Sequence, residues 1–479
     1  MSRYTSATDA DRRAMLDAVG VASVDDLFAD VPEELRLGRP LDLPAGRPEQ
    51  EVYGYLRDLA ARNVSAEDEI SFLGAGMYDH YIPALVDSIS SRSEFLTPYT
   101  PYQPEVSQGG LQVMFEYQTM ISELTGLPVS NASVYEGPSA LAAAGYLARL
   151  HNGRRRFVVS RGVHPHARET LATTSAGWGT TIDEVALVDG VTDPEALREA
   201  IDDEVSAVFL AQPNFLGAVE DLEALVPIAR ESGALVVVSV DPMTLGVLRP
   251  PGDFGVDVCV GEGQPLGNRL DYGGPSFGFF AAQEAHLCRM PGRIAGETTD
   301  VDGRRGFVLT LQTREQHIRR EKATSNICTA QALNALMGTV YLAWLGREGF
   351  AELGKLMLRR ADYARETLTA LDGVTALHEQ PIVREFAVSL ELPPQAASGD
   401  EPAGRGQSSI DRVLDHCYAQ GVNPGYALGR DYPEHPNGLL IAITEQRSRA
   451  DIDRLAEVLG EAVTLTPDPP AERARHSVA

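Results

Sequence analysis

The chain has 479 residues, a formal net charge of −27 and 43% hydrophobic residues, the profile of a globular protein long enough to bury a large core. That negative charge repels phosphate backbones and argues against nucleic acid as a partner. The longest strongly apolar run, Ala234–Val240, is far too short to span a bilayer, and the opening residues carry no apolar leader, so a cytoplasmic protein without membrane contact is expected.

Four cysteines (Cys259, Cys288, Cys328, Cys417) show no metal-type spacing, so neither a metal site nor a disulfide framework is expected. Of the 41 basic residues only Lys322 and Lys355 are lysines. Chemistry that needs a side-chain amine therefore has two candidates in the whole chain.

Thr8–Asp11 and Ser23–Asp26 read as helix caps, and Pro32, Pro40, Pro44 and Pro48 keep the next stretch extended before a helix near 48–62. Residues 1–64 are expected to form an N-terminal arm. Phe72–Pro83 opens the main domain with glycines that permit close backbone approach, and His80 within it reads as a structural hydrogen-bonder. Thr97–Glu105 holds three prolines and two tyrosines, which excludes helix and central strand and leaves a rigid aromatic loop.

Val113, Tyr117, Met120 and Leu124 repeat at helical spacing, with Gly126 as the stop. Ser133–Ser139 then leads into an Ala-rich helix whose start could hold a phosphate, although Pro138 removes one amide. From Arg156 to Val260 short apolar strands alternate with helical stretches, among them strands at Arg156–Ser160, Val185–Val188, Val205–Ala211, Ala234–Val240 and Val256–Val260. Such alternation predicts a mainly parallel sheet covered on both faces, with ligands beyond the strand carboxyl ends. His164, Asn214 and Asp241 fall at successive strand ends and are the candidate ligand-holding residues.

Met290–Gly306 reads as a long polar loop, Phe307–Gln312 as a strand, and Arg314–Lys322 as a cationic segment. A helix from Asn326 to about Leu345, a break at Gly346 and Gly349, and a second helix to Leu371 mark the passage to a smaller α+β domain over 331–479, after a large domain over 65–330. Pro393–Gln407 reads as a loop and the residues from about 466 as a loose tail.

Several long blocks carry a resemblance: FLGAGMYDHYIP (72–83), the 95–121 stretch FLTPYTPYQPEVSQGGLQVMFEYQTMI, DPMTLGVLRPPGDFGVDVCVGEGQPLGN (241–268), the run 290–336 and GYALGRDYPE (425–434). Together they closely resemble the P-proteins of the glycine cleavage system, in the subunit 1 branch of the two-subunit glycine dehydrogenase (decarboxylating) family. The resemblance implies the aspartate-aminotransferase-like fold (fold type I) of pyridoxal-phosphate enzymes. It also implies an α2β2 assembly with a subunit 2 that bears the Schiff-base lysine.

The implied reaction is decarboxylation of glycine on pyridoxal phosphate, with the aminomethyl group passed to the lipoyl arm of H-protein. In this reading the cofactor sits covalently on the sister subunit. Gln264, counted back from Gly273-Gly-Pro275, stands about where the sister has its lysine; His164, Asn214 and Asp241 become vestigial cofactor residues. Tyr99, Tyr102 and Gln103 are expected to reach the sister's cleft. Two departures from the family pattern stand out, Glu136-Gly-Pro-Ser where Asp-Gly-Ala-Thr is expected and His166 where Glu is common. Two rivals remain at this stage, a self-contained pyridoxal-phosphate decarboxylase using Lys322 and a purely architectural subunit.

Overall fold

A computed structural model describes residues 6–323, 327, 330–393 and 408–465. The chain divides into two units, residues 1–64 and 65–479. In the first, α1 (Asp9–Val19) begins at a capping box in which Thr8 and Asp11 exchange hydrogen bonds and ends at Gly20. The second helix of this unit, α2 (Glu49–Ala60), like α1, buries none of its residues.

The second unit is built on a seven-stranded sheet. Its strands are β1 (Val129–Ser130), β2 (Arg156–Ser160), β3 (Thr181–Val185), β4 (Val205–Gln212), β5 (Leu235–Val240), β6 (Val258–Glu262) and β7 (Gly278–Ala282). The spatial order is β1-β7-β6-β5-β4-β2-β3. Only the β7 pairings are antiparallel; β6, β5, β4, β2 and β3 run parallel.

Alternation along the central strands sorts side chains into two cores. Val158, Val208, Leu210, Val236 and Val238 enter one, and Phe157, Val159, Phe209, Leu235 and Val237 enter the other. Three helices, α3 (Gln108–Thr125), α6 (Leu222–Arg230) and α7 (Ala332–Thr369), cover the first face; α4 (Gly137–Asn152) and α5 (Pro165–Trp178) cover the second. With both faces buried, these strands need continuous apolar runs, which is why they were legible.

Two expectations need correction. The strand assigned to Val185–Val188 lies at Thr181–Val185 instead, while Leu187–Val188 pairs with Val191–Thr192. As an edge strand, β3 exposes much of its length, so its sequence lacks an apolar run. Met290–Gly306 is not a loop: β8 (Ile294–Thr299) and β9 (Arg305–Thr310) form an antiparallel hairpin. Two glutamines on α3 hold the hairpin by its backbone. Gln118 exchanges two hydrogen bonds with Ala295 (3.0 and 2.8 Å), and Gln108 does the same with Phe307 (both 2.8 Å).

Gly346, at φ 61 and ψ 179, breaks α7. Beyond it β10 (Val374–Ala376), β11 (Glu385–Leu390), β12 (Tyr426–Ala427) and β13 (Gly438–Ala442) make an antiparallel sheet in the order β10-β11-β13-β12. Helices α8 (Ser409–Ala419) and α9 (Arg449–Thr464) close its core. The loop expected at Pro393–Gln407 falls, except for Pro393, outside the described residues, as does the tail from 466.

Candidate functional site

The parallel strands end on one side of the large sheet, and the segments leaving them enclose a cavity of about 330 Å³. His164 follows β2, Asn214 follows β4, Asp241 follows β5 and Glu262 ends β6; all four line it. The Ala75–Tyr78 turn, and Arg384 with Glu385 at the start of β11, complete the walls. The three strand-end residues singled out from sequence are thus brought together.

Each is already engaged by protein. At His164, Nδ1 accepts from the His166 amide at 3.1 Å, so the proton lies on Nε2, which donates to the Ala75 carbonyl at 2.8 Å. Burial lowers this imidazole to about 4, leaving it neutral at pH 7. Gly76, at φ +103, presses against that ring; a Cβ there would stand 2.8 Å from Nε2. Asn214 donates to the Gly190 carbonyl (2.7 Å) and to buried Glu220 (2.8 Å), and its Oδ1 accepts from the Leu216 amide at 3.0 Å. It folds the β4 loop back on itself.

Asp241 accepts from the Met243 amide at 3.1 Å through Oδ1 and from the Arg384 Nε through Oδ2. Arg384 is 1% exposed. Its Nη1 donates to His80 Nε2 at 2.6 Å; a guanidinium only donates, so the His80 proton sits on Nδ1 and is given to Glu445 at 2.7 Å. The result is a buried chain Asp241–Arg384–His80–Glu445. Burial opposes ionisation of Glu445, but His80 and the Tyr81 amide outweigh it and hold the carboxyl below its usual range. His80 is the structural hydrogen-bonder the sequence pointed to.

Pyridoxal phosphate, the cofactor implied by resemblance, needs an amine, an anion seat and a free carboxylate at its ring nitrogen. The chain offers none of the three here. Gln264 is fully buried, its Oε1 accepting from the Tyr78 amide (2.9 Å) and its Nε2 donating to the carbonyls of Tyr78 (3.0 Å) and Asn268 (2.9 Å). An amide in that setting forms no imine. At the start of α4 the Gly137 amide is taken by Glu262 Oε2 at 2.9 Å, and Pro138 has no amide to give. Glu262 Oε1 also accepts from the Ser276 hydroxyl at 2.7 Å, so a carboxylate occupies the anion seat. Asp241 is committed to Arg384. The residues present do not fit the cofactor.

Lys322 lies exposed in the short turn Arg320–Lys322, and Lys355 is exposed on α7, paired with Glu352 at 2.8 Å. Neither lines the cavity. Tyr99, Tyr102 and Gln103 are also outside it. Tyr99 and Tyr102 are 72% and 53% exposed, and the Tyr102 hydroxyl accepts from buried Arg293 at 3.2 Å.

Sequence reasoning missed Glu262, Arg384 and Glu385. Glu262 stands two residues before Gln264, a signal readable only once β6 is known to end there. Arg384-Glu385 is a charge pair abutting the apolar run Phe386–Leu390. Glu385 accepts from the Ala75 amide and the Tyr78 hydroxyl, both at 2.8 Å, and burial raises its carboxyl to about 7.

Comparison with known proteins gives one answer at several depths. A family model described as the glycine cleavage system P-protein matches residues 2–399. A probable glycine dehydrogenase (decarboxylating) subunit 1 of Geobacillus kaustophilus is 46% identical over 461 residues, covering 96% of this chain and 99% of the relative. Its counterpart in Carboxydothermus hydrogenoformans is 48% identical over 460 residues with the same coverage. Among solved structures, an inhibitor-bound glycine decarboxylase (P-protein) of the glycine cleavage system superposes with a TM-score of 0.82 at 44% identity, over 96% of this chain and 100% of that one. A sphingosine-1-phosphate lyase of Burkholderia pseudomallei, at 16% identity and TM-score 0.61 over 90% of this chain and 94% of that one, shares the fold alone.

Proposed function

The chain belongs to the glycine cleavage system P-protein family, as a subunit 1 of two-subunit glycine dehydrogenase (decarboxylating), and from that premise we propose that it is the half without the Schiff base. Its sister, subunit 2, holds pyridoxal phosphate on a lysine. The cofactor supplies the electron sink for loss of carbon dioxide from glycine. The aminomethyl group then passes to the lipoyl arm of H-protein.

The observation that carries this reading is the engagement of the strand-end groups: Gln264, Glu262 and the Asp241–Arg384 pair are all bonded within the chain at the three positions the cofactor would need. This chain contributes shape and surface. Tyr99, Tyr102 and Gln103 extend the exposed loop toward the sister's cleft, and Arg293 beneath Tyr102 holds that ring from behind. We place the chain in an α2β2 assembly in the cytoplasm, and Leu35, Leu43, Tyr53 and Val64, between 67% and 73% exposed, leave apolar surface on residues 1–64 for a partner.

Borohydride reduction of the reconstituted complex, followed by peptide mass spectrometry, tests the assignment. A pyridoxyl adduct on the sister and none on Lys322 or Lys355 is expected. An adduct on either lysine of this chain overturns it.

A further inference from the structure

A second cavity, of about 250 Å³, shares only Ala75 with the strand-end cleft. Three stretches of chain meet there. Leu73 follows Ile70–Ser71, which pairs in parallel with Val422–Asn423. Helix α8 contributes Leu414 and Tyr418, four residues apart and so on one face of the helix. Strand β12 and the turn after it contribute Tyr426, Ala427 and Arg430. Leu414 and Ala427 are buried, whereas Leu73 and Tyr418 are 42% and 44% exposed, so the space has an apolar floor and an open rim.

Charge decides which ligand is admitted. Arg430 is exposed, is the one charged residue in this wall, and has no carboxylate paired with it among the described residues. Its guanidinium lies over the Tyr426 ring at 5.4 Å. Two acids of the same region are engaged elsewhere and do not line the cavity: Asp431 accepts from the Tyr426 hydroxyl, and Glu69 accepts from Asn423 Nδ2 at 3.2 Å. On a chain of net charge −27, a guanidinium without an acid beside an apolar hollow attracts an anion at that place.

We infer that this cavity binds a small aromatic carboxylic acid, its ring against Leu73, Leu414 and the two tyrosine rings and its carboxylate on Arg430. Volume sets the size class. A cavity of about 150 Å³ accommodates benzene, so this one takes a ring with a short acid chain. The tyrosine rings favour an aromatic body over an alkyl one through offset or edge contacts, and a planar carboxylate matches the guanidinium fork. The inference stands apart from the division of labour with the sister subunit.

Titration calorimetry of the full-length chain with 3-phenylpropanoate tests it. One saturable site is expected. 3-Phenylpropanamide, which keeps the ring and loses the charge, and propanoate, which keeps the charge and loses the ring, should each bind at least about ten-fold more weakly. Arg430→Gln should weaken the acid by about ten-fold or more and leave the amide unchanged, while Tyr418→Ala should weaken both. Both side chains reach the surface, where replacement leaves the core intact. No saturation below about 10 mM, the amide binding as tightly as the acid, or full affinity for the acid in either variant overturns the inference.

Discussion

Glu385 shows what one buried side chain does to the whole chain's response to pH. Burial raises its carboxyl from 4.5 to about 7, so between those values the folded state holds a proton that the unfolded chain has released. The stabilising contribution is therefore complete below about 4.5 and is lost as pH rises through about 7. At 1.36 kcal/mol per unit, the loss by pH 8 is on the order of 3 kcal/mol. Glu385→Gln keeps an acceptor for Ala75 and a partner for Tyr78 without a charge to bury. Its thermal midpoint should match wild type near pH 5 and exceed it at pH 8; parallel profiles for the two proteins contradict the account.

The same residue marks a limit of sequence reading. His164, Asn214 and Asp241 could be found because each follows an apolar strand, and the structure gathers them in one cavity. Their partners could not. Arg384 lies 143 residues from Asp241, and nothing local in the chain says that a guanidinium just before β11 will pair with a strand-end carboxylate. Gln264 was singled out by the resemblance, whereas Glu262 beside it, which accepts from the Gly137 amide, carries no pattern of its own.

At the scale of elements, legibility followed burial. Strands β4 and β5 lie between two helical layers and read as apolar runs; β3 at the edge and the β8–β9 hairpin, held from one side by α3, did not. One of the turns beside the large sheet packs against β11 of the second sheet. Gly217, after β4, adopts φ +84, and a Cβ there would stand 2.1 Å from the Glu385 carbonyl oxygen. Gly217→Ala adds a left-handed penalty of about 1–2 kcal/mol to a clash with backbone that cannot swing aside. A drop of about 3 kcal/mol or more in urea-derived stability is expected, and an unchanged midpoint would show that the turn relaxes freely.

For the whole molecule, the proposal is of a fold kept while its own chemistry is closed off. The sheet, the helix start at Gly137 and the strand-end carboxylate are all present, with the Gly137 amide bonded to Glu262 and Asp241 to Arg384. On the proposed reading, this chain's contribution to catalysis comes from its outside surface. Tyr99→Ala with Tyr102→Ala in the reconstituted complex should leave assembly intact and lower glycine turnover by about ten-fold or more, on the order of one lost positioning contact. Full turnover in an assembled double variant would reduce this chain to scaffolding.

The most direct measurement is the release of carbon dioxide from carboxyl-labelled glycine, with lipoylated H-protein and pyridoxal phosphate present, for this chain alone and for its mixture with subunit 2. The account predicts no turnover from this chain alone and turnover that appears on mixing. Turnover by this chain alone would contradict it.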